Sequence, residues 1–193
     1  MMLRLYYIGL EVLQSAVVFL PAIWLVLYFG FHRRLHYIFW ESIFGLYVLS
    51  VLAAVGFPSL SYLTVDFTVN VIPFGELFDF SMSYLSNMIL NVILFVPLGV
   101  FLPMMSGKWK SWKYAVLTGF LFSLFIEIIQ IFSFRATDVD DLMMNTLGAA
   151  AGYGIWYFIR CNKFFKDKAH FECSKWELGM IFLAALVVKF FVS

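Results

Sequence analysis

Between Glu127 and Asn145 the chain reads EIIQIFSFRATDVDDLMMN, and seven of these nineteen residues carry chemistry: Glu127, Gln130, Arg135, Asp138, Asp140, Asp141 and Asn145. A carboxyl group sheltered from water titrates at higher pH and can act as general acid or base, which makes Glu127, Asp138 and Asp141 the candidate catalytic residues. The oxygens of Asp138, Asp140, Asp141 and Glu127 would also suit Mg²⁺, although no metal site is assigned. A guanidinium such as Arg135 grips a phosphate or carboxylate in two places. The amides Gln130 and Asn145, with Asn87 and Asn91 upstream, can orient a polar head group by hydrogen bonds. Asn87, Asn91, Gln130, Arg135 and Asn145 are therefore the candidate ligand-binding residues.

The surroundings make this cluster unusual. Of 193 residues, 63% are hydrophobic, 21% aromatic and only 13% charged, with a mean hydropathy of +0.91. A soluble domain is about one quarter charged, so most of these side chains must meet hydrocarbon. Six apolar segments lie near residues 6–30, 38–56, 86–105, 114–134, 140–160 and 177–192, each close to the roughly 20 residues that a helix needs to cross a bilayer. Pro21 should kink or tilt the first. That segment is too long for a cleaved signal peptide and has no small-residue cleavage site. The sixth is short and carries Lys189. The expected fold is all-α: a compact polytopic bundle of about six transmembrane helices, five if the last does not span, with an interfacial outer segment.

Loop charge sets the orientation. The loops after segments one, three and five hold Arg33, Arg34, Lys108, Lys110, Lys113, Arg160, Lys163, Lys166, Lys168 and Lys175, ten of the thirteen Lys and Arg. The positive-inside rule places them in the cytoplasm. Both termini then face outside if there are six spans, as does the turn carrying Arg135. His32, His36 and His170 fall on the cytoplasmic side, which leaves no Ser-His-Asp arrangement near the cluster.

Helix phase brings the polar groups together. Gly119, Ser123, Glu127 and Gln130 share one face of the fourth segment, and Asp138, Asp141, Asn145, Gly148 and Gly152 share one face of the fifth. Gly148 and Gly152 form a small-xxx-small pattern that lets a neighbouring helix approach closely. Asn87 and Asn91 share a face of the third segment, where Pro97 and Gly99 should bend the helix. At 1.5 Å per residue, Glu127, Gln130, Asn91 and Asn145 all lie about 6–10 Å below the outer edge. An ionisable group in a membrane helix costs on the order of 3 kcal/mol at the centre. The alternative to a site is interhelical hydrogen-bond glue, worth under about 1 kcal/mol per residue.

Other features have plainer readings. Residues 57–85 hold Asp66, Glu76 and Asp79 but no Lys or Arg, and are rich in Phe and Tyr, as suits a segment lying along the interface or a lid beside the cluster. Glu41 lies near the start of the second segment, where a carboxylate suits a helix N-terminus. Glu11 and Gln14 share a face of the first and are possible additions to the cluster. Cys161 and Cys173 fall in one basic loop; a metal site through them and His170 fits no common spacing, so they read as idle thiols. The net charge of +1 implies no steering of nucleic acid. The bilayer is the expected partner, and neither a cofactor nor an oligomeric state is read.

The chain divides as 1–57, two N-terminal helices; 58–160, a core of the outer segment and three helices; and 161–193, a cytoplasmic loop and last helix. The core carries VNVIPF (69–74), NMILNVILFVPLGVFLP (87–103) and SLFIEIIQIFSFRATDVDDLMMNTLGAAAGYG (123–154). In these elements, about residues 65–158, it resembles the VanZ-like family of bacterial membrane proteins. The resemblance implies a multi-pass protein of the bacterial plasma membrane and a link to low-level resistance to the glycopeptide teicoplanin, but supplies no reaction. Two functions stay open. One is binding or remodelling of an amphipathic envelope lipid or lipoglycopeptide at an outer-leaflet pocket. The other is an intramembrane enzyme, acid/base and Mg²⁺-dependent, acting on an envelope lipid or glycan. A transporter ranks below both, because the cluster is off-centre and no inverted repeat is visible.

Overall fold

The computed structural model describes residues 2–60, 69–70, 72–75, 82–105, 107–133, 137–161 and 173–192. Arg135, most of the segment 57–85 and most of the loop 161–176 lie outside them. Six α-helices are present among the described residues: α1 (Met2–Leu25), α2 (Leu35–Ala54), α3 (Met82–Met105), α4 (Trp112–Gln130), α5 (Val139–Cys161) and α6 (Lys175–Val192). The protein is an all-α helical membrane protein. Four stretches among the described residues are long and apolar enough to cross a membrane: Tyr6–Gly30, Leu35–Ala54, Met82–Met105 and Trp112–Gln130. About six spans were expected, five if the last does not cross; α5 and α6 fall outside these four stretches. α5 is helical as expected, but its glycines, alanines and polar residues lower its hydropathy. α6 is the shortest helix, with Lys175, Glu177 and Lys189 within its 18 residues.

The helices group into two compact units, Met1–Val65 with Cys173–Ser193, and Asp66–Glu172. In the first unit, α1 passes through Pro21 and ends in a wider π-helical turn, Val26–Gly30. α2 is the most enclosed helix of this unit, with Phe44, Val48, Leu49, Val51 and Leu52 fully buried. Glu11 on α1 is paired with Lys189 of α6 at 3.0 Å, so its described partner is not the polar cluster.

The second unit rests on the contact between α3 and α5. A Cβ on Gly99 would fall 2.0 Å from the Ala149 carbonyl oxygen, one on Gly148 would fall 2.3 Å from that of Val92, and one on Gly152 would fall 2.0 Å from that of Val96. No methyl group fits at those distances, so the two backbones touch where only glycine permits it. α4 packs beside them through Gly119, where a Cβ would meet the Ala149 side chain at 2.4 Å. α3 runs as one helix through Pro97 and Pro103. Its Ile89, Leu90 and Ile93 are exposed, as befits a face turned to lipid. At the Arg160 end of α5, the Tyr153 hydroxyl donates to the Lys110 carbonyl at 2.7 Å, tying the helix to the basic connection between α3 and α4.

Gly152→Leu should therefore force α3 and α5 apart. Overpacking of this kind costs roughly 1–3 kcal/mol or more. Gly154, two residues on, has nothing within 4 Å of its Cβ position, so Gly154→Leu should be tolerated. Thermal unfolding of the two variants in detergent checks this: the Gly152 variant should melt well below wild type and the Gly154 variant close to it.

Candidate functional site

The site forms at the end of the second unit away from Lys108, Lys110 and Arg160. It is built around the N-terminus of α5. Asp138 precedes the first helical residue, and its Oδ1 accepts the Asp140 N–H at 2.9 Å. That is the N-cap arrangement, and Asp140 and Asp141 in the first turn complement the helix dipole. The sequence TDVDD is thus a helix start. α4 approaches it from the other side of the turn. The Asp138 N–H donates to Glu127 Oε2 at 3.0 Å, and the Thr137 hydroxyl donates to the Glu127 carbonyl oxygen at 3.0 Å.

A distant stretch of chain completes the network. Val69–Asn70 pairs in parallel with Thr137–Asp138. Asn70 Nδ2 reaches Asp138 Oδ2 at 3.4 Å, and its Oδ1 accepts the Ile72 N–H at 3.2 Å. The turn that follows places Phe74 at φ 57°, in the left-handed region that non-glycine residues rarely adopt. In that conformation the Phe74 N–H donates to both Asp140 oxygens, at 2.9 and 3.0 Å. The Tyr84 hydroxyl on α3 donates to the same carboxylate. Asp140 is 1% exposed, so these donors replace the water it has lost. Two turns further along α3, Asn91 donates to Asp141, the next residue of α5.

The helix-phase stripes lie inward. Gly119, Ser123, Glu127 and Gln130 on α4 are all buried, as are Asn145, Gly148 and Gly152 on α5. Asn145 Nδ2 donates to Ser123 Oγ at 2.9 Å. Its Oδ1 is buried and has no hydrogen-bond partner among the described residues. Asn87 is exposed, and no hydrogen bond among the described residues joins it to this network. Asn91, Glu127, Asp138 and Asp141 do join it, whereas Arg135 lies outside the described residues. Asn70, Tyr84 and the Phe74 N–H are partners that helix periodicity could not reveal. The motif VNVIPF was visible as a stretch, but its docking on the α4–α5 turn is a long-range event.

The acids do not converge on one point. Among the described residues, no three of the metal-capable side chains of this unit bring their ligand atoms within 4.8 Å of one another. Asp138, Asp140 and Asp141 each hold separate donors. A shared Mg²⁺ therefore gains no geometric support.

Tyr84 and Asp140 should be energetically coupled. Tyr84→Phe and Asp140→Asn should each destabilise by about 1–3 kcal/mol. The double variant should lose less than their sum, by roughly 0.5–3 kcal/mol. Denaturant unfolding of the four proteins tests this, and additive losses would show that the hydrogen bond carries no stability.

Comparison with curated proteins and with solved structures gives no match. A match to the VanZ/LLP1 family covers residues 44–160. It begins within α2, earlier than the quoted motifs, and runs through the end of α5, so it takes in the whole network. With well over half its length so matched, the chain belongs to the VanZ/LLP1 family.

Proposed function

We propose that the network at the N-terminus of α5 is a head-group site for an amphipathic ligand of the bacterial envelope, opening to the outer face of the plasma membrane. The observation that carries this reading is Asn145. Its amide nitrogen is committed to Ser123, while its buried Oδ1 has no partner among the described residues. A buried carbonyl without a donor costs about 1–3 kcal/mol, and a hydroxyl or ammonium of a bound head group would supply the donor. Glu127, on the same stripe as Ser123, offers a carboxylate beside it. Arg135, two residues before Thr137 in the chain, is the cation assigned to an anionic group of the same ligand. The apolar surface of α3 suits the tail.

The orientation rests on the basic residues at the opposite end of this unit, and with six spans both termini would lie outside. A cell-envelope lipid and a lipid-tailed glycopeptide share the required form. Family membership and the resemblance described above make teicoplanin tolerance the phenotype to measure. Catalysis by Glu127 as a buried acid or base is the second reading, and the same variants address it.

Expression in a teicoplanin-sensitive bacterium tests the proposal. Glu127→Gln can still accept the Asp138 N–H but no longer titrates or carries charge. Arg135→Lys keeps the charge but loses the planar fork. At equal membrane levels, both should lose the tolerance that wild type confers, whereas Asn87→Ala should keep it. Full tolerance with both variants would leave a packed bundle joined by polar glue. In a background free of Cys161 and Cys173, an impermeant maleimide on intact cells should label Ile72→Cys but not Ser111→Cys; the reverse pattern would overturn the outward-facing site.

A further inference from the structure

The first unit holds a second polar cluster that the reading above does not use. Glu41 was expected near the start of the second helix, as a charge suited to its N-terminus. It lies instead in the second turn and is 0% exposed. Neither of its carboxylate oxygens has a hydrogen-bond partner among the described residues. The nearest cationic atom is Arg33 Nε, at 3.9 Å. Cys173 and Glu177, four residues apart at the start of α6, are buried beside it. One ligand atom from each of Glu41, Cys173 and Glu177 lies within 4.8 Å of the other two.

We propose that Glu41, Cys173 and Glu177 form a three-ligand site for a divalent cation, of which Zn²⁺ is the fitting ion. A thiolate with carboxylates selects Zn²⁺ over the hard cations Mg²⁺ and Ca²⁺. In a tetrahedral zinc site the ligand atoms stand about 3.6 Å apart, from Zn–S and Zn–O lengths of about 2.3 and 2.1 Å. Small side-chain rotations close the remaining gap. The three protein ligands leave a fourth position for water or another donor.

Charge supports the assignment. Three deprotonated ligands are balanced by Arg33 together with one divalent cation, so the buried cluster becomes neutral. Without the ion, Glu41 is a fully buried carboxyl whose oxygens have no hydrogen-bond partner among the described residues, with only the Cys173 thiol, Glu177 and the more distant Arg33 beside it to offset its burial. Glu177 has a plainer role as well: its carboxylate accepts the Ser174 N–H, the reciprocal half of a capping box, and two donors from Arg33. Two carboxylate oxygens offer about four acceptor sites, which leaves room for a metal bond. Burial, with Glu41 and Glu177 nearby, pushes the Cys173 thiol well above its usual range. The metal must therefore displace its proton, and affinity should rise with pH. Such an ion would fasten the N-terminus of α6 to α2.

The test uses the full-length protein in detergent, reduced and stripped of metal by a chelator, with Co²⁺ as the probe. Co²⁺ occupies zinc sites and reports thiolate ligation by an intense charge-transfer absorption. Wild type and Cys161→Ser should both show the band, and added Zn²⁺ should abolish it. Cys173→Ser should show none. Glu41→Gln, which is nearly isosteric and leaves the thiol in place, should weaken Zn²⁺ binding by at least the roughly tenfold that loss of even an outer-shell partner typically costs. No band in wild type at saturating Co²⁺, a band that survives Cys173→Ser, or unchanged Zn²⁺ affinity in Glu41→Gln would each overturn the assignment.

Discussion

The close contact of α3 with α5 is the constraint on which the second unit depends. Three glycines, Gly99, Gly148 and Gly152, let carbonyl oxygens of the facing helix stand where a Cβ would otherwise be. In a bilayer, helices gain little from hiding apolar side chains from one another, because lipid tails are equally apolar. Close backbone packing and interhelical hydrogen bonds must supply the association. The glycine contact provides the first and sets the register of the second. It brings Tyr84 to Asp140 and Asn91 to Asp141 along the same pair of helices.

The polar end follows from that register. α5 must begin where α3 still faces it, and Asp138 marks the start as an N-cap. Once capped, the helix places Asp140 in a buried position that needs donors, and Phe74 supplies one at the cost of a left-handed backbone. Strain of this kind costs on the order of 1–3 kcal/mol and persists only where surrounding contacts enforce it. The segment around Asn70 is thereby held against the α4–α5 turn. Glu127 is drawn into the same arrangement by the Asp138 N–H. The result is a rim of polar groups in which the buried acceptor Asn145 Oδ1 has no partner among the described residues.

Much of this was legible in the sequence, and for a physical reason. The inward faces of α4 and α5 follow from a period of 3.6 residues, so the stripes from Gly119 to Gln130 and from Asp141 to Gly152 could be read directly. Hydropathy marked all six helices, of which four meet the length and apolarity of a membrane span among the described residues. The small and polar residues of α5 serve packing against α3 rather than contact with lipid. Pairings between remote positions were not legible. Nothing in local periodicity tells that Phe74 donates to Asp140, or that Arg33 meets Glu177 across 144 positions. The capping role of Asp138 was not legible, because it depends on where α5 begins. Glu41 was read as a helix-end charge because its burial depends on α6.

The central claim is that the rim around Glu127 and Asn145 receives the head group of an amphipathic molecule. The most direct measurement is a cryo-EM map of the full-length protein in nanodiscs made from bacterial envelope lipids. The account predicts elongated density along the apolar face of α3, with its polar end against Asn145 Oδ1 and Glu127. A well-resolved map in which that layer is closed by protein side chains alone, with ordered lipid only elsewhere, would contradict it.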